Sequence, residues 1–264
     1  MAETGEVEAG RVAANRLAGR RALITGAAGG QGRAVAVRFA ADGAQLALVD
    51  VDGPGLDATR RAVRGGPGVL TMTADVRDEG AVASVVGRAV EALGGLDVLY
   101  NNAGVYWPAR DATVDRLTLD VWTDVMAVNA TGAYLFCKHA LPHLLASRRG
   151  VIVNVASTAA YAGDPDCHAY AASKGALLAL TRSIAQRFGP DGLRAVTLCP
   201  GFVDTPMVGF ALDDEPTLER IRSAIALRRV GRPEEVAAVA AFLVSDDAAY
   251  MTSCLIDVHG GLVK

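Results

Sequence analysis

Short apolar runs and longer amphipathic stretches alternate along nearly the whole chain. The runs cover residues 21–25, 45–50, 69–75, 96–101, 151–157, 193–199 and 254–258, and they are almost continuous in Val, Leu, Ile and Ala. A strand with one wet face alternates apolar with polar residues, so a continuous run marks a strand buried on both faces. The stretches between carry helical periodicity, among them residues 31–41 and 119–146. This βαβα order predicts an α/β fold, a doubly wound sheet of about seven parallel strands with helices on both faces. The 119–146 stretch is apolar nearly all round. Trp122, Met126, Ala133, Phe136, Ala140 and Leu144 form one stripe; Val121, Val125, Val128 and Leu135 form another. Such a helix is buried on two sides, against the sheet and against a partner subunit. Asn129 interrupts the first stripe, and a buried amide must find hydrogen-bond partners.

The polar and glycine residues that stand out are not spread evenly. Thr25-Gly26, Asp50, Asp75, Asn101-Asn102, Ser157 and Pro200-Gly201 all fall at the carboxyl ends of the runs. In an open parallel sheet those ends share one edge, and ligands bind there. Turn residues with a purely structural role would fall at both ends.

With 264 residues, 51% of them hydrophobic and 21% charged, the chain suits one large α/β unit with a sizeable core. Residues 20–264 are read as a single catalytic domain. Residues 1–19 are read as a loosely ordered N-terminal extension, rich in Ala, Gly and Glu and lacking the apolar segment of a secretory leader. A net charge of −3 without any Lys/Arg block argues against nucleic acid or an anionic membrane as partner. No apolar run approaches the roughly 20 residues of a membrane span. Cys137, Cys167, Cys199 and Cys254 show no paired spacing, as expected of reduced thiols in a cytoplasmic protein.

Two clusters along the edge carry recognisable chemistry. The first, Gly26-Ala27-Ala28-Gly29-Gly30-Gln31-Gly32, lies between the first strand and a helix. Glycines there let the backbone approach a pyrophosphate, whose charge suits a helix N-terminus, although a plain βα turn reads the same way. Asp50, ending the second strand, favours the ligand, because a carboxylate at that place accepts from ribose hydroxyls. It would repel a 2′-phosphate, and Gly29 and Val51 offer no compensating cation, so NAD is the expected cofactor. Asp75 can accept from an adenine amino group or cap the next helix. In the second cluster Tyr170 and Lys174 lie one helical turn apart. A phenol titrates near pH ~10, and an adjacent ammonium is expected to lower that value towards useful acid–base chemistry. His139 and His143 share a helix face, but no third ligand accompanies them and no metal is expected; Asp164 and Asp166 read as a solvated loop rather than a carboxylate pair.

Taken together, Thr25-Gly-x-x-x-Gly-x-Gly32, Asp75-Val76, Asn101-Asn102-Ala103-Gly104, Asn129, Ser157, Tyr170-x-x-x-Lys174 and Pro200-Gly201 resemble the short-chain dehydrogenase/reductase family over about residues 17–261. The resemblance implies a Rossmann-like fold and NAD(P)-dependent oxidoreductase chemistry on a secondary alcohol or ketone, commonly in a homotetramer or dimer. It implies that Gly26, Gly30, Gln31, Gly32, Asp50, Asp75, Val76, Asn102, Ala103, Gly104, Pro200 and Gly201 hold the cofactor. Tyr170 and Lys174 would hold it as well, with Val203 and Thr205 near the nicotinamide carboxamide. Ser157 would donate to the substrate oxygen and Tyr170 would exchange its proton. Asn129 would serve a water relay to Lys174. A lid over residues 202–230 is expected, and Tyr106, Trp107 and Phe202 either form an apolar substrate wall or are ordinary loop packing. Epimerisation or dehydration on the same scaffold is the second enzymatic reading. A catalytically idle NAD-sensing protein is the reading from another class; such proteins usually lose the tyrosine or the lysine.

Overall fold

A computed structural model describes residues 15–64 and 68–262. Strand β1 (Arg21–Thr25) turns into α1 (Gly30–Ala41), followed by β2 (Gln45–Asp50), α2 (Gly53–Ala62), β3 (Val69–Thr73) and α3 (Glu79–Leu93). After β4 (Val98–Asn101) come α4 (Leu119–Met126), a π-helical turn at Ala127–Thr131, and α5 (Gly132–Ser147). Then follow β5 (Val151–Val155), the short α6 (Ala159–Ala162), α7 (His168–Phe188) and β6 (Arg194–Pro200). The small helices α8 (Gly209–Leu212) and α9 (Glu215–Ala224) precede α10 (Pro233–Leu243) and β7 (Leu255–Val258).

The strands pair in parallel in the order β3-β2-β1-β4-β5-β6-β7. Their continuous apolar character follows from two cores, one on each face. Ala22 and Ile24 of β1 point into the core built with Val35 and Phe39 of α1 and Val236 of α10. Leu23, between them, points the other way, into the core built with Val86 of α3 and Phe136 of α5.

Several expected boundaries move. The third and fifth runs stop being strand at Thr73 and Val155, so Asp75 and Ser157 stand two residues out on the loops. The single helix expected over 119–146 is divided by the π-helical turn, which inserts an extra residue and shifts the angular phase of α5 relative to α4. Trp122 accordingly leaves the buried stripe and is exposed, while Asn129, inside the π turn, is fully buried. Of the expected loose extension, residues 1–14 lie outside the described residues. Within residues 15–19, Leu17 is fully buried and its N–H donates to Asp42 O at 2.7 Å, while Asn15, Ala18 and Gly19 are exposed.

Buried polar groups hold the middle of the sheet in register. Asn101 Nδ2 of β4 donates to Asn154 Oδ1 of β5 at 2.8 Å, and Asn154 Nδ2 donates to Thr181 Oγ1 of α7 at 2.9 Å. The Thr181 hydroxyl donates in turn to Leu177 O at 2.6 Å. This amide ladder fixes α7, the helix bearing Tyr170 and Lys174, against β4 and β5. Replacing Asn154 by Ala leaves the Asn101 amide and the Thr181 hydroxyl without this partner inside the core. Chemical denaturation is expected to show a loss of about 1–3 kcal/mol.

Candidate active site

The cleft begins at the glycine turn after β1. Gly26 has φ +66°, and a Cβ there would stand 2.7 Å from Ala103 Cα. A Cβ on Gly32 would stand 2.0 Å from Gly26 O, so neither position admits a side chain. The turn is stitched to the end of β4. Asn102 Nδ2 donates to Thr25 O at 3.2 Å and to Gly26 O at 2.9 Å, while Thr25 Oγ1 accepts from the N–H groups of Asn102 and Ala103, both at 3.1 Å. Gly29, at the cap of α1, supplies no side-chain cap, so the first amides of that helix remain free to bind an anion.

Asp50 Oδ2 accepts from Ala28 N at 2.9 Å and Oδ1 from Asp52 N at 3.1 Å, with further lone pairs on each oxygen. One arginine stands nearer than the flanking sequence implies. Arg33 of α1 donates from Nε to Thr59 Oγ1 at 3.0 Å and from Nη2 to Ala28 O, which commits it to the protein. Asp75 is paired with Arg77 at 2.6 Å, and hydrogen bonds from Arg77 hold its carboxyl below the usual carboxylate range. It does not cap α3; Asp78 does, accepting from Ala81 N at 3.0 Å. Val76 packs on Gly132, where a Cβ would meet Val76 Cγ2 at 2.6 Å.

The other end of the cleft is the first turn of α7. The buried Asp111, on the loop between β4 and α4, caps this helix from a distance: Oδ1 accepts from Ala169 N at 3.1 Å and Oδ2 from Tyr170 N at 2.8 Å. Asn129 accepts from Val105 N at 2.7 Å and donates to Val105 O and Ser173 Oγ, both at 3.0 Å. Lys174 Nζ donates to Val155 O at 2.8 Å and lies 5.8 Å from the Tyr170 ring centroid. Gly104 leaves room between them: a Cβ there would stand 3.2 Å from Lys174 Nζ and 3.3 Å from Asn129 Oδ1. Ser157 Oγ accepts from Ala159 N at 3.2 Å, and its hydroxyl neighbours the Tyr170 phenol, where it acts to lower that group's pKa.

The expected lowering of the Tyr170 pKa by Lys174 is absent. Burial pushes the phenol up to about 12, offset only in part by the nearby Ser157 hydroxyl, and burial likewise lowers Lys174 to about 8. Both groups are driven towards their neutral forms because each charge would be poorly solvated. One Lys174 N–H donates to the Val155 carbonyl, and none donates to the phenol.

Three cavities join along this edge. One of 270 Å³ is lined by Asp50, Asp75, Val76 and Val105; one of 260 Å³ by Gly30, Asn102, Tyr170 and Lys174; they share Gly26, Asp50, Ala103 and Gly104. The third, of 190 Å³, contains Ser157, Tyr106, Pro200, Gly201, Phe202 and Val203, and shares Gln31, Ala156, Tyr170, Thr205 and Met207 with the middle one. Tyr106 stacks edge-on to Tyr170 at 4.8 Å and packs against Phe210 at 6.1 Å. Trp107 is parted from Tyr106. It lines the Asp50–Asp75 cavity and packs with Val121 and Val125 of α4, because adjacent residues of an extended loop point to opposite sides. It is therefore no wall of the Ser157 cavity. His139 Nε2 lies 3.2 Å from Glu79 Oε1, which also pairs with Lys138. Among the described residues no group of three His, Cys, Asp or Glu converges on a metal-sized site.

Residues 26–263 match the family described as Enoyl-(Acyl carrier protein) reductase. The chain is 36% identical over 243 residues to the 2-(R)-hydroxypropyl-CoM dehydrogenase of Xanthobacter autotrophicus, covering 91% of this chain and 97% of that one. The chain belongs to the short-chain dehydrogenase/reductase family. It is also 39% identical over 240 residues to the meso-2,3-butanediol dehydrogenase of Serratia marcescens, covering 90% of this chain and 92% of that one. The crystal structure of levodione reductase superposes with a TM-score of 0.88 at 35% identity, covering 92% of this chain and 97% of that one. Short-chain dehydrogenases are nicotinamide-dependent oxidoreductases, and the residues here fit such a cofactor. A carboxylate stands at one end, an uncapped helix N-terminus in the middle, and Tyr170 and Lys174 at the other end of one continuous cleft.

Asp111, Ser173 and Asn154 carry no local signal in the sequence, yet they place this short-chain dehydrogenase's reactive turn. Asp111→Ala removes the acceptor for Tyr170 N. It is expected to lower kcat about tenfold or more while the dissociation constant for the cofactor stays within about twofold. Stopped-flow turnover and calorimetric cofactor titration check this; unchanged kcat would reduce Asp111 to a stabilising cap.

Proposed function

We propose that this short-chain dehydrogenase uses NAD to interconvert a secondary alcohol and a ketone. The observation that carries the reading is that Ser157 and Tyr170 line the same 190 Å³ cavity, which joins the cofactor cleft at Tyr170. A substrate oxygen seated there receives a hydrogen bond from Ser157 Oγ, which stabilises developing negative charge. Tyr170 gives its phenolic proton to that oxygen in reduction and takes it back in oxidation. Because burial favours the neutral phenol, Tyr170 at rest is the proton donor that reduction requires. A nicotinamide bound in the middle cavity supplies hydride transfer to or from the carbinol carbon. Lys174, anchored on Val155 O, is placed to hold the nicotinamide ribose and to offset the charge of a Tyr170 phenolate. Asn129, locked to Val105 and Ser173, is the residue around which a proton relay to Lys174 is read. Thr205 lines the middle cavity and Val203 the Ser157 cavity, and residues 202–230 act as a lid over this end of the cleft.

General acid–base assistance is worth typically 10²–10⁴-fold. Tyr170→Phe is therefore expected to lower turnover by at least about 10²-fold while NAD still binds, checked in a spectrophotometric screen of secondary alcohols with NAD and ketones with NADH. Full activity of that variant would end the assignment, and saturable NAD binding without any turnover by the unmodified protein would favour an NAD sensor instead.

Asp50 supports NAD over NADP, since its carboxylate would meet a 2′-phosphate and Arg33 is already bonded to Thr59 and Ala28. The ratio of kcat/KM for the two cofactors is expected to exceed about tenfold in favour of NAD, and Asp50→Ser to erase most of it. Equal efficiency in the unmodified protein would refute the preference.

Exposed Leu119, Trp122 and Tyr134 on α4 and α5 support a homo-oligomer, a tetramer or a dimer, packed through these helices. Free Cys137, Cys167, Cys199 and Cys254 support a reducing, cytoplasmic setting. No helix among the described residues is long and apolar enough to cross a membrane.

A further inference from the structure

The cavity beside Ser157 differs from the cofactor cleft in its charge. None of the residues lining it is Lys, Arg or His, and its one ionisable carboxylate is Asp164. That residue sits on the loop between α6 and α7, and the loop is organised around it. Asp164 Oδ1 accepts from Asp166 N at 3.0 Å and from Cys167 N at 2.9 Å, while Oδ2 has no protein donor among the described residues. The neighbouring charges have the same sign: Asp111, Asp164 and Asp166 all act on the Cys167 thiol. The field of Asp164 also reaches the reacting group. Burial is the main influence that raises the Tyr170 phenol, and the Asp164 charge adds to it. A second acceptor faces the same space. Gln31, shared between this cavity and the middle one, has a buried Oε1 with no hydrogen-bond partner. The rest of the wall is apolar, with Tyr106, Phe202, Met207 and Val208.

Resting on the dehydrogenase reading above, we infer that this cavity selects an uncharged substrate bearing a second hydroxyl group, and that Asp164 is the residue that turns away carboxylates, sulfonates and phosphates. Two unpaired acceptors, Asp164 Oδ2 and Gln31 Oε1, ask for donors, which a hydroxyl supplies and an anion lacks. An anionic substituent would meet Asp164 with no cation in the cavity to compensate. The size is also limiting. An apolar cavity of roughly 150 Å³ admits benzene, so a space of 190 Å³ suits one substituted six-membered ring or a short hydroxylated chain. Asp164 thereby acts as a specificity residue and takes no part in the proton transfer itself.

Four compounds separate these terms: cyclohexanol, cyclohexane-1,2-diol, 3-hydroxycyclohexanecarboxylate and its carboxamide. The unmodified enzyme is expected to oxidise the carboxamide about tenfold or more efficiently in kcat/KM than the carboxylate, and the diol better than cyclohexanol. Asp164→Asn keeps an Oδ1 acceptor for the loop amides and removes the charge. It is expected to close most of the gap between acid and amide and to lower the diol's kcat/KM advantage over cyclohexanol, because an NH2 group stands where Oδ2 accepted. Equal efficiency on acid and amide, or a gap unchanged in Asp164→Asn, would overturn the inference. Turnover of none of the four compounds would overturn it too. The dehydrogenase reading itself fails only if the broad alcohol and ketone screen is also silent.

Discussion

Strand β1 pairs with β2 on one side and β4 on the other, and the chain leaves β1 and β4 towards opposite faces of the sheet. Helix α1 packs with α10 on one face, while α3 packs with α5 on the other. The separation opens a crevice at the carboxyl edge, as it does wherever the strand order of an open parallel sheet reverses. Backbone groups at that gap lose their ladder partners and must be satisfied in another way. The Asn102 amide and the Thr25 hydroxyl do this, spanning the gap with four hydrogen bonds. The same contact draws Gly26 against Ala103, and that proximity is what excludes side chains from the floor of the cofactor cleft.

Further along the edge, precision depends on buried polar groups rather than on apolar packing. The Asn101–Asn154–Thr181 ladder fixes the flank of α7, Asp111 holds its first turn, and Asn129 ties Ser173 to the loop after β4. Each is costly to leave unpaired, so each has one low-energy arrangement. Tyr170 and Ser157 are thereby brought together from different segments. The same burial that makes the site rigid sets its resting charge state: it favours the neutral phenol and a weakened ammonium, and the Ser157 hydroxyl counters it only in part.

The sheet was legible because strands buried on both faces cannot hide their composition, and the edge was legible because its glycines and acids cluster at one end of each run. Glycine positions 26 and 32 and the Tyr170–Lys174 pair were readable for a related reason: backbone close approach and helical spacing are local properties. The break in the helix over 119–146 was not legible, because apolar periodicity does not reveal a π turn whose extra residue is stabilised by the tertiary contacts of Asn129. Trp107 joins Tyr106 by adjacency alone, whereas the loop's path sends the two rings into different cavities.

By itself the sequence determined the α/β order, the edge on which chemistry is displayed and the residue types available there. Tertiary structure decided which loops converge on that edge. It made Asp111 a cap for a helix 58 residues away, put Asp164 at the wall of a cavity, and let burial dominate the phenol. The reason is physical: side-chain direction along a strand or helix follows from local periodicity, but proximity between distant loops and the solvation of a charge depend on the whole packed chain.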